Sequence, residues 1–205
     1  MNKNEIVNEK KEKKYHHGNL RQALIEAGIE MMNEVGEEGL SLRKIAAKCG
    51  VSNAAPYAHF TGKEELIQGM QEYVQQSFVE KLKTEAEKYS DTELAILAIG
   101  KAYVMFFIEH PQYFKFLYFR ENISVDLNMR STGNCPAFEL LRVYIQRFNQ
   151  EKGIVKSVYE QELEIIKLWS DVQGLSSIAS MKHVHWNHPW EETIERMLGL
   201  HDRQR

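Results

Sequence analysis

Hydrophobic residues recur every three or four positions along most of this chain, which is the spacing of one apolar face on an α-helix. Glycines, prolines and short polar runs separate these stretches, and such residues end helices. The pattern therefore favours helix over sheet and predicts an all-α fold. The predicted helices span residues 19–35, 41–49, 52–60, 63–88, 91–110, 111–120, 136–151, 157–182 and 190–200, with a loop over 121–134.

The segment from Ser41 to Phe60 has the pattern of two short helices joined by a tight turn. The hydroxyl of Ser41 can cap the first helix, and Gly50 can adopt the left-handed conformation that commonly ends one. Ser52 can cap a second helix that ends near Phe60. This order of signals is typical of a helix-turn-helix.

The second predicted helix suits a DNA-reading element better than a core helix. Small side chains allow its backbone to approach the floor of a groove closely, and in the helix-turn-helix docking mode its N-terminal residues meet the base edges. The alternative is a corner between two helices inside a helical enzyme or adaptor. The residues concerned are Asn53, Ala54, Ala55 and Pro56, followed by Tyr57 and His59.

Composition permits either one large domain or two small ones. The chain has 205 residues, of which 43% are hydrophobic and 27% charged, as is usual for soluble globular proteins. Its formal net charge is -3, but residues 1–63 carry ten Lys and Arg against eight acidic residues. Residues 64–205 carry sixteen against twenty-one. This asymmetry indicates that the N-terminal part faces phosphate.

Several classes of protein are disfavoured. Cys49 and Cys135 lie far apart without metal-site spacing, which suits a reducing cytoplasm. The N-terminus is too polar for a signal peptide, and the most apolar stretch, residues 95–108, is too short to span a bilayer. The chain has no phosphate loop, nucleophile elbow or paired catalytic acids. We therefore expect a cytoplasmic protein that is not an enzyme and needs no cofactor.

Four motifs together resemble the DNA-binding domain of the TetR family, over about residues 15–66. They are Tyr15-His-His-Gly-Asn-Leu-Arg21, Gly39-Leu-Ser-Leu-Arg-Lys-Ile-Ala46, Gly50-Val-Ser-Asn-Ala-Ala-Pro-Tyr-Ala-His-Phe60 and Lys63-Glu-Glu-Leu66. The first and third motifs look like the subgroup with a WHG-type C-terminal domain. The matching segment here is Trp169-Ser-Asp-Val-Gln-Gly174, in which Gln173 replaces the histidine.

This resemblance implies a homodimeric transcriptional regulator on a palindromic operator, with a dimer interface made from the last two helices of each subunit. It also implies that the helix over 63–88 links the DNA-binding domain to the rest. We therefore expect an N-terminal three-helix helix-turn-helix DNA-binding domain and a C-terminal helical ligand-binding and dimerisation domain. The predicted limits are a flexible basic arm over 1–14, the DNA-binding domain over 15–64 and the regulatory domain over 65–205. The arm can lie along the DNA backbone or be a solvated tail.

The predicted DNA contacts divide into those that read bases and those that position the protein. Asn53, Ala54 and Ala55 are expected at base edges, where the alanines can contact thymine methyl groups. The phosphate contacts are expected from Tyr15, His16, His17, Ser41, Arg43, Ser52, Tyr57, His59 and Lys63.

Aromatic residues are unusually dense between positions 103 and 119. Aromatic side chains of this kind most often fill a core, but as a group they can also line an apolar effector cavity. The candidate ligand-binding residues are Tyr103, Phe107, Phe114, Tyr118, Trp169 and Gln173.

A metal site is not expected. His183, His185 and His188 lie close in sequence, but their spacing fits no common site. These histidines are better interpreted as surface or packed residues.

These patterns predict a homodimeric, sequence-specific DNA-binding regulator, a repressor relieved by a small apolar or aromatic effector. The alternative is a helical ligand carrier or enzyme whose N-terminal bundle is purely structural. A third possibility is a regulator that has lost its ligand response and acts by dimerisation alone.

Overall fold

A computed structural model describes residues 19–118, 125–128, 135–181 and 183–199. Within these ranges the chain forms α-helices and one 3₁₀ helix and has no strand, so the predicted all-α fold class is confirmed. The elements are α1 (Leu20–Val35), α2 (Leu42–Lys48), the 3₁₀ helix (Ala55–Ala58), α3 (Lys63–Ala86), α4 (Thr92–Glu109), α5 (Pro111–Tyr118), α6 (Pro136–Glu151), α7 (Val158–Ala179) and α8 (Trp190–Leu198). The predicted arm over 1–14, and Tyr15, His16 and His17, lie outside the described residues.

Helices begin where the sequence offers capping side chains. Asn19 accepts a hydrogen bond from the backbone of α1, and Asp91 does the same for α4. Ser157 and Glu160 form a reciprocal capping box at the start of α7. Each cap satisfies a backbone N–H that has no partner within its helix. Local sequence therefore determines these boundaries.

The end of α1 differs from the prediction. The spacing of apolar residues every three or four positions predicts Val35 on the apolar face of this helix, but 54% of it is exposed. Val35 is the last residue of α1, and the chain turns away immediately afterwards at Gly36, whose φ is 73°. A side chain at this position extends beyond the part of the helix that its neighbours cover.

The chain divides into two compact units, Met1–Met70 and Gln71–Arg205, and the division falls within α3. In the first unit, α1 makes close contacts at Gly28. A Cβ added to Gly28 would lie 2.9 Å from Met70 Sδ and 3.6 Å from Ile45 Cδ1. The absence of a side chain at Gly28 thus allows α1 to pack closely against α2 and the start of α3.

In the second unit, α4 packs against α5, α6, α7 and α8. The Phe78 ring centroid lies 5.0 Å from that of Tyr103 and 5.1 Å from that of Phe107. Lys101 is a charged residue on this apolar helix, and its Nζ lies 2.7 Å from Glu191 and 2.5 Å from Glu195 of α8. The described helices include none with the length and apolar character needed to cross a membrane.

Candidate nucleic-acid interface and ligand cavity

The turn after α2 is held by backbone hydrogen bonds. Ser41 Oγ accepts from Lys44 N at 3.3 Å and caps α2. At the other end, Gly50 N donates to Ala47 O at 3.1 Å and Val51 N donates to Ala46 O at 3.0 Å. This pair of bonds is a Schellman motif, which requires a left-handed residue, and Gly50 has a φ of 70°. The turn predicted from Ser41 and Gly50 is therefore present.

The second element of the helix-turn-helix is not the predicted α-helix. It is a four-residue 3₁₀ helix, Ala55–Ala58, and Ser52 is not its N-cap. Pro56 explains the difference, because it has no N–H to donate to Ser52 O in the α-helical pattern. Ala55 N donates to Ser52 O instead, at 3.0 Å, which tightens the chain into i→i−3 bonding.

The 3₁₀ helix has one buried side and one exposed side. Pro56 is buried, and Phe60 just beyond it is only 1% exposed. The guanidinium carbon of Arg21 lies 5.3 Å from the Phe60 ring centroid. Asn53 and Tyr57 are exposed on the other side, Tyr57 by 56%. The buried pair anchors the turn and leaves the predicted base-reading and phosphate-binding side chains accessible.

The other predicted DNA contacts vary in exposure. Ala54, Arg43 and Ser52 are exposed, whereas Ser41, Ala55, His59 and Lys63 are half-buried. Ser41 Oγ accepts a bond in its capping role but keeps its hydroxyl hydrogen for a phosphate oxygen. Lys63 Nζ donates to Glu37 O at 2.8 Å.

Sequence reasoning missed Lys44 as a phosphate-binding candidate. Its side chain is exposed beside Arg43, and its Nζ reaches Gly39 O at 3.2 Å. The adjacent pair of basic residues after the cap at Ser41 was the available signal.

A narrow cavity lies between α4, α6 and α7. It contains about 360 Å³ of space not filled by atoms, counting its open mouth. Its walls are almost entirely apolar, and no charged residue lines it. The lining residues are Ile96, Ile99, Gly100, Tyr103, Ala137, Phe138, Leu141, Leu168, Trp169 and Val172.

Hydrogen bonds join three of the predicted ligand-binding residues at this cavity. Tyr103 Oη donates to Gln173 Oε1 at 2.5 Å, and Trp169 Nε1 donates to Tyr103 Oη at 3.4 Å. Burial raises the pKa of Tyr103, so its hydroxyl stays protonated across the physiological range. The site therefore offers polar groups without charge.

Of the six residues predicted to bind a ligand, Tyr103 and Trp169 line this cavity. Gln173 contacts it through its bond to Tyr103. The other three pack into the aromatic core, where the Phe107 ring centroid lies 5.2 Å from Phe114 and 5.9 Å from Tyr118.

Sequence reasoning missed most of the lining residues. One wall is a stripe on α4 at positions i, i+3, i+4 and i+7, namely Ile96, Ile99, Gly100 and Tyr103. A glycine within an apolar helical stripe was the available signal, because it allows close approach of neighbouring helices. A Cβ added to Gly100 would lie 3.0 Å from Leu198 Cδ1 and 3.5 Å from Val172 Cγ1.

The three late histidines do not form a metal centre with their neighbours. His183, His185 and His188 are exposed. Among the described residues, no group of three His, Cys, Asp or Glu side chains is arranged to hold a metal ion.

Comparison with known proteins identifies the helix-turn-helix. Residues 24–70 match the family model described as bacterial regulatory proteins, tetR family. Over 52 residues the chain is 40% identical to the tetracycline repressor protein class C of Escherichia coli. Residues 24–70 therefore form a domain of the TetR family. The match covers 25% of this chain and 24% of that repressor, so the chain spans about a quarter of the length of the curated relative.

Solved structures resemble nearly the whole length of this chain in fold. A protein with unknown function from Rhodococcus sp. RHA1 superposes with a TM-score of 0.68 at 22% identity, covering 94% of this chain and 98% of that one. AibR in complex with isovaleryl coenzyme A and operator DNA gives a TM-score of 0.58 at 16% identity, covering 88% and 96%. At these identities the likeness shows the fold. The TetR family consists of DNA-binding transcriptional regulators rather than enzymes.

Proposed function

We propose that this TetR-family protein is a cytoplasmic homodimeric repressor that binds a palindromic operator and releases it when a small apolar or aromatic molecule enters the C-terminal cavity. The observation that carries the proposal is the accessible surface of the 3₁₀ helix. Asn53 and Tyr57 are exposed beside a capped, tightly bonded turn, and neither side chain is bonded within the described part of the chain. They are thus available for DNA.

The 3₁₀ helix proposed to read DNA is short, which supports a dimer. One 3₁₀ helix of four residues reaches few base pairs, so a single copy cannot select an operator. A two-fold dimer presents two such elements to two half-sites and matches a palindrome.

The exposed side of α7 supports the choice of interface. Ser170 and Gly174 are exposed there, and a Cβ added to Gly174 would meet nothing within 4 Å. Near the end of the helix, Ile178 and Met181 are 46% and 53% exposed. Small residues followed by exposed apolar ones allow two helices to approach closely, so we assign α7 and α8 to the dimer interface.

The effector switch follows from the position of α7. Leu168, Trp169 and Val172 line the cavity, while Ser170 and Gly174 belong to the proposed interface on the same helix. A molecule in the cavity therefore biases the dimer geometry to the extent that it binds one geometry better than the other. The presence of both a ligand and operator DNA in the AibR complex supports this pairing of functions.

The test is selection of fragments bound by the purified full-length protein from random DNA, followed by sedimentation of the protein with and without the selected fragment. We expect a two-fold symmetric consensus bound by a dimer. Fragments without symmetry, or a protein that stays monomeric, would refute the dimeric repressor. No retained DNA at low salt would instead favour the helical carrier or enzyme.

A further inference from the structure

The hydroxyl of Tyr103 already has two hydrogen-bond partners on α7. Its hydrogen goes to Gln173 Oε1 at 2.5 Å. Its oxygen accepts from Trp169 Nε1. A tyrosine hydroxyl has a single hydrogen, which is already used here. An acceptor on a ligand therefore cannot gain a bond from Tyr103 unless the bond to Gln173 breaks.

The indole N–H of Trp169 is the polar group of the cavity wall that can change its hydrogen-bond partner from Tyr103 to a ligand. Its bond to Tyr103 Oη is 3.4 Å long, whereas N–H···O bonds are usually about 2.7–3.2 Å. Breaking so long a bond costs little, and the indole nitrogen can only donate. The complementary group on a ligand is therefore an acceptor oxygen.

Charge on the ligand is disfavoured by the surroundings. No lining residue is charged. A buried cation, Arg142, lies behind the wall, with its guanidinium carbon 5.2 Å from the Phe138 ring centroid. Its charge is already opposed by Glu139, at 3.4 Å. An anion entering the cavity would lose its hydration without gaining a free cation, which is unfavourable.

We infer that this cavity takes a slim, uncharged, largely apolar molecule with one hydrogen-bond acceptor, such as an ester or ketone oxygen, which receives the indole N–H of Trp169. This inference rests on the effector role proposed above and adds the chemical class of the effector. A carboxylate or phosphate group would remain outside the cavity.

Two isomers provide a matched pair of probes. Methyl heptanoate and octanoic acid have the same molecular formula, but at neutral pH only octanoic acid is charged. Binding is followed by the fluorescence of Trp169 in full-length protein carrying Trp186→Phe and Trp190→Phe, which leaves Trp169 as the one tryptophan. We expect the ester to reach half-saturation at a concentration at least tenfold below that of octanoate. Equal or tighter binding of octanoate, or no saturable signal with either probe, would overturn the inference.

Variants then test the indole N–H itself. Trp169→Phe keeps an aromatic ring in the wall but removes the donor, whereas Tyr103→Phe removes the partner of that donor and leaves the N–H available. Because Trp169→Phe lacks the reporter tryptophan, binding is measured by the shift in thermal unfolding midpoint, and circular dichroism confirms the helical fold of each variant. We expect about tenfold weaker ester binding in Trp169→Phe and undiminished binding in Tyr103→Phe. Unchanged ester binding in Trp169→Phe would contradict the assigned role.

The proposed function is tested separately from the ligand class. The binding measurements above contain no DNA, and a gel shift with the selected fragment is run with and without the ester. Selective ester binding that leaves the DNA complex intact would support the ligand class and contradict the effector switch. Release of DNA by octanoate alone would contradict the ligand class and support the switch.

Discussion

Lys63 Nζ donates to the backbone carbonyl of Glu37 across 2.8 Å, joining the first residue of α3 to the turn after α1. The bond orients the ammonium group, but it occupies only one of three N–H donors. Lys63 can therefore support the N-terminal unit and still donate to a DNA phosphate.

Replacing Lys63 by alanine should weaken binding to operator and random DNA by a similar factor. A phosphate contact carries no base information, and its loss should reduce the slope of log affinity against log salt by about one. Fluorescence anisotropy at several salt concentrations measures both quantities. If affinity and slope stay unchanged while the protein remains folded, Lys63 makes no phosphate contact.

Tyr57 and Asn53 should behave differently from each other. Removing the exposed hydroxyl in Tyr57→Phe should lower affinity but leave the preferred sequence unchanged, because the hydroxyl is assigned to a phosphate. Asn53→Ala should relax the preference at one base position in each half-site, at a cost of about 1–3 kcal/mol. Selection from random DNA with each variant is the measurement. A new consensus for Tyr57→Phe would contradict the phosphate assignment and indicate that the Tyr57 hydroxyl contacts a base.

Gly50→Ala should destabilise the protein by about 1–2 kcal/mol, because the left-handed conformation is strained for any residue with a Cβ. Gly50 has a φ of 70°, and its N–H closes the turn after α2. Urea unfolding followed by circular dichroism gives the change. Gly62→Ala is the matched control, since Gly62 lacks a positive φ and an added Cβ there meets nothing within 4 Å. Equal effects of the two substitutions would show that the turn tolerates a side chain.

Gly174→Trp should convert the dimer to a monomer without unfolding it. Gly174 is exposed and an added Cβ meets nothing within 4 Å in the single chain, whereas the indole ring would occupy the proposed contact between two copies of α7. Analytical ultracentrifugation measures the mass. Gln146→Trp on the exposed side of α6 is the control and should remain dimeric. A dimeric Gly174→Trp protein would place the interface elsewhere.

The ion pairs of Lys101 should stabilise the contact between α4 and α8 at neutral pH. The hydrogen bond from Lys101 lowers the pKa of Glu191, so this stabilisation is present above the ordinary glutamate pKa and is lost as pH falls through the lowered value. Lys101→Gln should cost up to about 1 kcal/mol at pH 7 and much less near pH 3. Urea unfolding of both proteins at each pH measures the difference. An equal cost at both pH values would indicate lost packing rather than lost charge.

Local sequence signals predicted the helices well and the second recognition element poorly. Asn19, Asp91 and Ser157 cap helices where expected, because a cap depends only on residues a few positions away. Proline is tolerated in the first turn of an α-helix, yet the missing N–H of Pro56 leaves a 3₁₀ helix rather than an α-helix. A single absent hydrogen bond matters most in an element this short.

The candidate sites differ in how far they could be predicted. Most of the predicted DNA contacts lie within residues 41–63, so their motif and spacing are enough to identify them as candidates. The cavity instead combines residues from α4, α6 and α7, and its shape depends on how these helices pack. Phe107 and Phe114 illustrate the limit, because their rings pack together in the core and do not line this cavity.

By itself the sequence determined the helical class, most helix ends and the candidate surface for DNA, since each depends on hydrogen bonds and periodicity within a few residues. Only the tertiary structure decided which aromatic side chains fill the core and which face the cavity. It also decided that Trp169, Tyr103 and Gln173 share one hydrogen-bonded group. Contacts between distant segments depend on the shape of all the side chains packed between them, and no local pattern encodes that shape.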